Sequence, residues 1–201
     1  ILLGKYIIEN NFFANFEHKL RTVLFQVVSV ITTTGFGTEY IGSPFFPVIA
    51  KQLFLVLMLI GGCVGSTAGG IKVLRVVILN RLFKREIKKI YYPDHAVLPV
   101  TLEKNIIDSE EIYRITALFF GWLFLIFIGA GITSLFSNLN GMQSLSGMFS
   151  AVGNIGPFYF SVEKMSNLSP VIKITYIIGM LAGRLEILPI FIILSKKSWK
   201  S

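Results

Sequence analysis

A chain of 201 residues that is 53% hydrophobic and only 15% charged falls outside the usual range of soluble domains, in which about a quarter of residues carry charge. A net charge of +8 would suit a nucleic-acid binder, but the basic residues follow apolar stretches: Lys72, Arg75, Arg81, Lys84, Arg85, Lys88 and Lys89 after one, Lys196, Lys197 and Lys200 after the last. Basic residues so placed mark the cytoplasmic side of membrane helices, which excludes nucleic acid as the partner and makes the lipid bilayer the surroundings.

In chain order, Ile1 to Ile8 is at most the stub of an opening helix. Residues 18–31 are predicted to form an apolar helix of roughly 20 Å, too short to cross about 30 Å of hydrocarbon. The helix runs into Thr32-Thr33-Thr34-Gly35-Phe36-Gly37-Thr38. After Pro44 and Pro47, residues 48–83 form an apolar segment that would measure roughly 50 Å as one helix. Gly61, Gly62, Gly65, Gly69 and Gly70 interrupt it, with Ser66 and Thr67 between them. Each glycine costs about 1 kcal/mol in a helix relative to alanine, so the spacing predicts a broken helix.

Residues 84–111 are the most polar stretch. Ala96 to Leu102 and Ile106 to Asp108, around Glu103-Lys104-Asn105, predict a small cytoplasmic hairpin, with Pro99 confining its strand to an edge. Residues 112–136 are predicted to span the membrane, and Ile115 to Phe136 holds no charged residue. Residues 142–152 are again too short to span and run into Gly153-Asn154-Ile155-Gly156-Pro157. Residues 170–195 then span back. The same unit thus occurs twice: a short apolar helix, a glycine-containing loop, and a longer apolar helix. The expected fold is an all-α integral membrane protein of two helix–pore loop–helix repeats, 1–83 and 112–201, joined by the 84–111 linker.

A short helix that stops inside the membrane and continues as extended backbone leaves carbonyls and amides that lipid cannot satisfy. Such backbone persists beside a water-filled path, and cation filters use it: rings of backbone carbonyls replace the ion's hydration shell. The short helix presents its negative dipole end to the ion, which favours a cation. Thr33-Thr34-Gly35-Phe36-Gly37 has this form. The second loop places Asn154 where a potassium filter has an aromatic residue, which bears on discrimination between potassium and sodium.

The glycine-rich break admits three readings. A phosphate loop is excluded by Ile71 in the place of its lysine and Lys72 in that of its Ser/Thr. Close helix packing through small residues and an intramembrane loop that gates a path both remain. Arg184, amid Ile177, Ile178, Met180, Leu181, Ile187, Leu188 and Ile190, needs a partner or water at that depth. It either anchors loop carbonyls or sets a positive charge against the path. Glu186, two residues on, lies off to the side on a helix. Cys63 is the single cysteine, and His18 and His95 are isolated. No nucleophile–base pair or carboxylate dyad points to an enzyme, and nothing calls for an organic cofactor.

Four segments carry a resemblance: Thr32-Thr33-Thr34-Gly35-Phe36, Gly61-Gly62-Cys63-Val64-Gly65-Ser66-Thr67-Ala68-Gly69-Gly70-Ile71-Lys72, Val152-Gly153-Asn154-Ile155-Gly156-Pro157 and Gly183-Arg184-Leu185-Glu186. Together they resemble the third and fourth repeats of the Trk/Ktr potassium-transporter family over nearly the whole chain. The resemblance implies a pseudo-fourfold, cation-channel-like fold with four repeats around one pore in a multi-pass protein of the cell membrane, and potassium as the transported ion. It implies a filter at Thr33, Thr34, Gly35, Phe36, Val152, Gly153, Asn154 and Ile155, with Gly35 and Gly153 as equivalent central glycines. It implies a gate at Gly61, Gly62, Gly65, Ser66, Thr67, Gly69, Gly70 and Arg184. The implied partners are a second copy of the chain and a cytoplasmic nucleotide-binding regulatory subunit. Two pore loops make half a ring, so the expectation is that two more repeats precede Ile1, with association of two copies as the other possibility. A secondary transporter of another cation or a small solute is the alternative function.

Overall fold

The computed structural model describes residues 12–63, 65–66, 68–93, 98–102 and 105–185. Helices dominate them. Helix α1 is Phe12–Ile31, α2 is Val48–Leu59 and α3 is Val73–Lys89. Strands β1 (Thr101–Leu102) and β2 (Asn105–Ile106) follow, then α4 (Ser109–Leu135), α5 (Gly141–Gly153), α6 (Val162–Ser166) and α7 (Pro170–Leu185).

Helix α1 begins at Phe12 rather than His18, because neither glycine nor proline interrupts the intervening residues. Its charged residues fall between Glu17 and Arg21, which are paired at 3.5 Å across one turn. The apolar segment from Val48 onward breaks into α2 and α3 at the glycine cluster. The hairpin is shorter than the two apolar runs suggest. It pairs Thr101 with Ile106 and Leu102 with Asn105 in antiparallel register, Pro99 lies outside it, and one further bond runs from the Ile107 amide to the Val100 carbonyl at 2.9 Å. Its turn residues, Glu103 and Lys104, lie outside the described residues, as do Glu186 and the basic residues that follow it.

Among the described residues, α4 is the helix long and apolar enough to cross a membrane. Glu110 and Glu111 occupy its first turn, where the helix dipole favours acidic groups. Ile112, Ile115, Leu118, Trp122, Ile126, Ala130 and Thr133 form its buried stripe, at the three- and four-residue spacing of one helical face. Phe120, Phe124 and Phe127 point outward.

Two cores result. The larger gathers Trp122 and Ile126 of α4, Met148 and Val152 of α5, and Ile172, Tyr176 and Ala182 of α7. Helix α5 is therefore enclosed, with Ser144, Ser146 and every residue from Ser150 to Gly153 buried. Its start is fixed by the Gln143 side chain, which accepts from the Asn140 amide at 3.1 Å and donates to the Tyr159 carbonyl at 3.3 Å. The smaller core joins Val30 of α1 and Phe54 and Met58 of α2 to Ile155 and Tyr159, which follow α5. The Tyr159 hydroxyl donates to the Lys51 carbonyl. The loop after α5 thus belongs to the core of the first half, which ties the two halves together.

Candidate functional site

The loops after α1 and α5 fold alike. The Thr33 amide donates to the Val30 carbonyl and the Thr34 amide to the Ser29 carbonyl. In the second loop the Asn154 amide donates to the Ala151 carbonyl and the Ile155 amide to the Ser150 carbonyl. This is the bond pattern that closes a helix with a left-handed residue, and Thr33 and Asn154 are that residue, both at φ 54°. Two residues on, Gly35 has φ 82° and Gly156 has φ 112°, a region open mainly to glycine. Thr33 therefore corresponds to Asn154, Thr34 to Ile155, and Gly35 to Gly156, which puts Pro157 and not Asn154 at the position of the aromatic Phe36.

That register corrects the pairing of Gly35 with Gly153. Gly153 ends α5 as a helical residue, because helix closure falls on Asn154. Val152 is helical too: its side chain is buried in the larger core, and its carbonyl lies against Gly183 of α7. Extended backbone begins only after Asn154, so Val152 and Gly153 belong to the short helix and Gly156 to the loop.

Each loop is held by a buried serine in the last turn of its helix. Ser29 Oγ donates to the Phe36 carbonyl at 2.5 Å, and Ser150 Oγ accepts from the Gly156 amide at 3.0 Å. Nothing in the linear pattern singled out these serines, although both stand six residues before their loop glycine. Thr32 Oγ1 is 2.7 Å from the Val28 carbonyl and 2.8 Å from Thr34 Oγ1, so these hydroxyls serve the helix end. The Phe36 ring is exposed. The loops also meet: a Cβ on Gly35 would overlap the Ile155 carbonyl oxygen.

The glycine-rich break lies against the second of these helix ends. A Cβ on Gly69 would overlap the Gly153 carbonyl oxygen, and Asn154 Nδ2 donates to the Met180 carbonyl of α7 at 3.0 Å. The break is closed at its neck, where Ile60 and Ile71 form a parallel bridge. The Gly61 amide donates to the Ile71 carbonyl at 2.8 Å, and the Ile71 amide to the Leu59 carbonyl at 2.9 Å. Gly61 packs on the Gly69 carbonyl, Gly62 on Ser66, and Gly70 on Leu59. Gly65 and Gly70 take φ 84° and φ 80°. Lys72, which reads in sequence as a topological charge, donates its ammonium to the Ser66 carbonyl at 2.8 Å and the Ala68 carbonyl at 2.7 Å. Thr67 lies outside the described residues. Arg184 follows Gly183 near the end of the described part of α7, and is exposed within this chain.

The family model for TrkH, a cation transport protein, matches residues 13–201. The chain belongs to the TrkH family. It is 31% identical over 182 residues to the Trk system potassium uptake protein TrkH of Salmonella typhimurium, covering 90% of this chain and 37% of that protein. The Escherichia coli K12 TrkH is 30% identical over 192 residues, 95% of this chain and 39% of its own length. A cation transporter of Methanocaldococcus jannaschii is 35% identical over 181 residues, 89% and 36%. The crystal structure of the potassium transporter TrkH from Vibrio parahaemolyticus is similar with a TM-score of 0.77 at 28% identity, over 88% of this chain and 37% of that one. The chain thus spans a little over a third of the length of its TrkH relatives, and its fold is the all-α membrane fold of helix–pore loop–helix repeats.

The serine that holds the second loop gives a test of this TrkH-type loop. Ser150→Ala removes the acceptor of the Gly156 amide at a cost of about 1 kcal/mol. The purified protein is expected to melt roughly 2–4 °C lower in a thermal-shift measurement. An unchanged melting temperature would remove the serine from the loop's support.

Proposed function

We propose that this chain supplies two of four pore loops of a potassium uptake pathway in the cell membrane, the protein being multi-pass. The reading is carried by one observation: Gly35 packs directly on the Ile155 carbonyl, so two loops of the same bond pattern converge instead of facing separate surroundings. The proposed filter is Thr33, Thr34, Gly35 and Phe36 with Asn154, Ile155 and Gly156. Backbone carbonyls there replace the water around the ion, and the ends of α1 and α5 add negative potential. The carbonyl of Phe36 is held by Ser29, so the first loop offers fewer free oxygens at that level.

The glycine-rich loop from Gly61 to Gly70, with Ser66 between, is the proposed gate. Its support is the contact of Gly69 with the end of α5, which puts the loop at the helix terminus where a departing cation has to pass. Lys72 keeps the loop folded through the Ser66 and Ala68 carbonyls. Arg184, beside the Gly183 contact with Val152, adds a positive charge that opposes resting cations. Arg184→Ala is expected to raise rubidium flux about tenfold, since loss of about 1.4 kcal/mol from a barrier is tenfold in rate. Unchanged flux in a stably expressed variant would discard the charge barrier.

The remaining pore loops come from two further repeats of the same protein. A second copy of the chain and a cytoplasmic nucleotide-binding regulatory subunit are the proposed partners, and the protein acts as a transporter with potassium as cargo and no organic cofactor. Rubidium uptake into cells deprived of their other potassium systems tests the reading. Uptake that ordinary organic solutes compete away, with no dependence on potassium, would replace it with a solute transporter.

A further inference from the structure

Helix α3 carries Arg81, Lys84, Arg85 and Lys88 at positions i, i+3, i+4 and i+7, which is one face of a helix. These four residues form one wall of a cavity of about 330 Å³, and Leu98, Pro99, Val100 and Thr101 before and within β1 form the other. A volume of this order holds a small ligand. The cavity is built from both sides: the Arg81 guanidinium donates to the Thr101 carbonyl, and Val100 is buried. Nothing acidic lines it among the described residues. The adjacent carboxylate, Glu86, pairs with Arg85 at 2.5 Å and with Lys89 at 3.6 Å, which turns it off the lining and leaves the basic residues in excess.

Like charges three and four residues apart on a helix destabilise it, and this face contains four such pairs. Simple topological charge requires only that the residues lie on the cytoplasmic side, not that they converge on one pocket. Convergence is explained by an anion with at least two charges. Arg85 is engaged by Glu86 through Nε and Nη2, so the Lys84 and Lys88 ammonium groups supply the point charge, and the Arg81 donors beyond the one on Thr101 suit the oxygens of a phosphate.

We propose that this cavity binds a phosphate-bearing anion. Two sources share that chemistry. From Val73, where α3 begins just after the glycine-rich loop, Arg81 to Lys88 lie roughly 12 to 22 Å along the helix, at 1.5 Å per residue. With the loop near mid-membrane, as its proposed role as gate requires, that span passes the roughly 15 Å half-thickness of the hydrocarbon and reaches the lipid headgroups, where basic pockets take anionic lipid. Arg81, Lys84 and Lys88 are also exposed, so a soluble phosphate compound would reach them.

The test uses the intact transporter purified in detergent with two probes. Inorganic pyrophosphate is titrated by calorimetry, and phosphatidylglycerol is compared with phosphatidylcholine by native mass spectrometry. Binding is expected for at least one phosphate probe, weakened at least about tenfold in Lys84→Gln/Lys88→Gln, since each charged hydrogen bond contributes more than a neutral one. Lys84→Arg/Lys88→Arg keeps the charge and is expected to bind normally, as is Lys89→Gln, which removes one charge outside the cavity. Pyrophosphate binding alone assigns a soluble ligand, and preference for phosphatidylglycerol alone assigns a lipid headgroup. Failure of both probes overturns the site. So does an equal loss in the Lys89→Gln or arginine variants.

Discussion

Gly35→Ala is expected to lower rubidium uptake at least about a hundredfold, a barrier change of about 3 kcal/mol, while protein still reaches the membrane. Two physical effects combine there. The backbone stands at φ 82°, where an L side chain costs about 1–2 kcal/mol. The added methyl would also overlap the Ile155 carbonyl oxygen, which is main chain and cannot rotate aside. The first loop has to move, the second has to move, or both, and every carbonyl of the pair shifts. Gly156→Ala separates the two effects, because it stands at φ 112° with nothing within 4 Å of the added methyl. It carries backbone strain without collision and is expected to retain measurable uptake. Wild-type rubidium flux in Gly35→Ala would break the link between loop contact and permeation.

Gly183→Ala is expected to give the largest loss of stability among the glycines of α7. Its methyl would overlap the Val152 carbonyl oxygen and approach Asn154 Nδ2 at 2.7 Å, so α7 could no longer lie flush on α5. Overpacking of this kind costs about 1–3 kcal/mol, equivalent to a melting temperature roughly 5 °C lower. One turn earlier, Gly179→Ala meets the Met148 methyl and a Val152 methyl at 3.3 Å. Met148 is a flexible side chain, and the change is expected to be milder. Gly131→Ala, with open space around it, provides the reference. Equal melting temperatures for Gly183→Ala and Gly131→Ala would show that the two helices tolerate separation.

Legibility in the sequence followed what each property depends on. The α4 span was readable because a charge-free run of that length has few alternatives in water or lipid. The glycine break was readable because five glycines in ten residues lower helix stability whatever the surroundings. The second loop's register was harder to read. Gly153 and Gly156 are both candidates in a short string, and the choice depends on where α5 closes. A usable signal did exist: Asn tolerates left-handed backbone, and Ser150 precedes Gly156 as Ser29 precedes Gly35. The role of Lys72 was hidden for a different reason. A lysine after an apolar stretch is expected on topological grounds alone, and its bonds to Ser66 and Ala68 depend on the folded path of the loop. The bond from Tyr159 to Lys51 joins residues 108 positions apart, and no local pattern encodes it.

The bridge between Ile60 and Ile71 has an evolutionary consequence. Because that short ladder clamps both ends of the glycine-rich excursion, the relative placement of α2 and α3 is set at the clamp and not by the residues hung from it. Doubling the length of such an excursion adds only about 0.6 kcal/mol of closure entropy. Insertions, deletions and sequence drift between Gly62 and Gly69 can therefore be absorbed without refitting the flanking helices, whereas a change at the clamp itself, or at Gly69 against the Gly153 carbonyl, disturbs the packing around it.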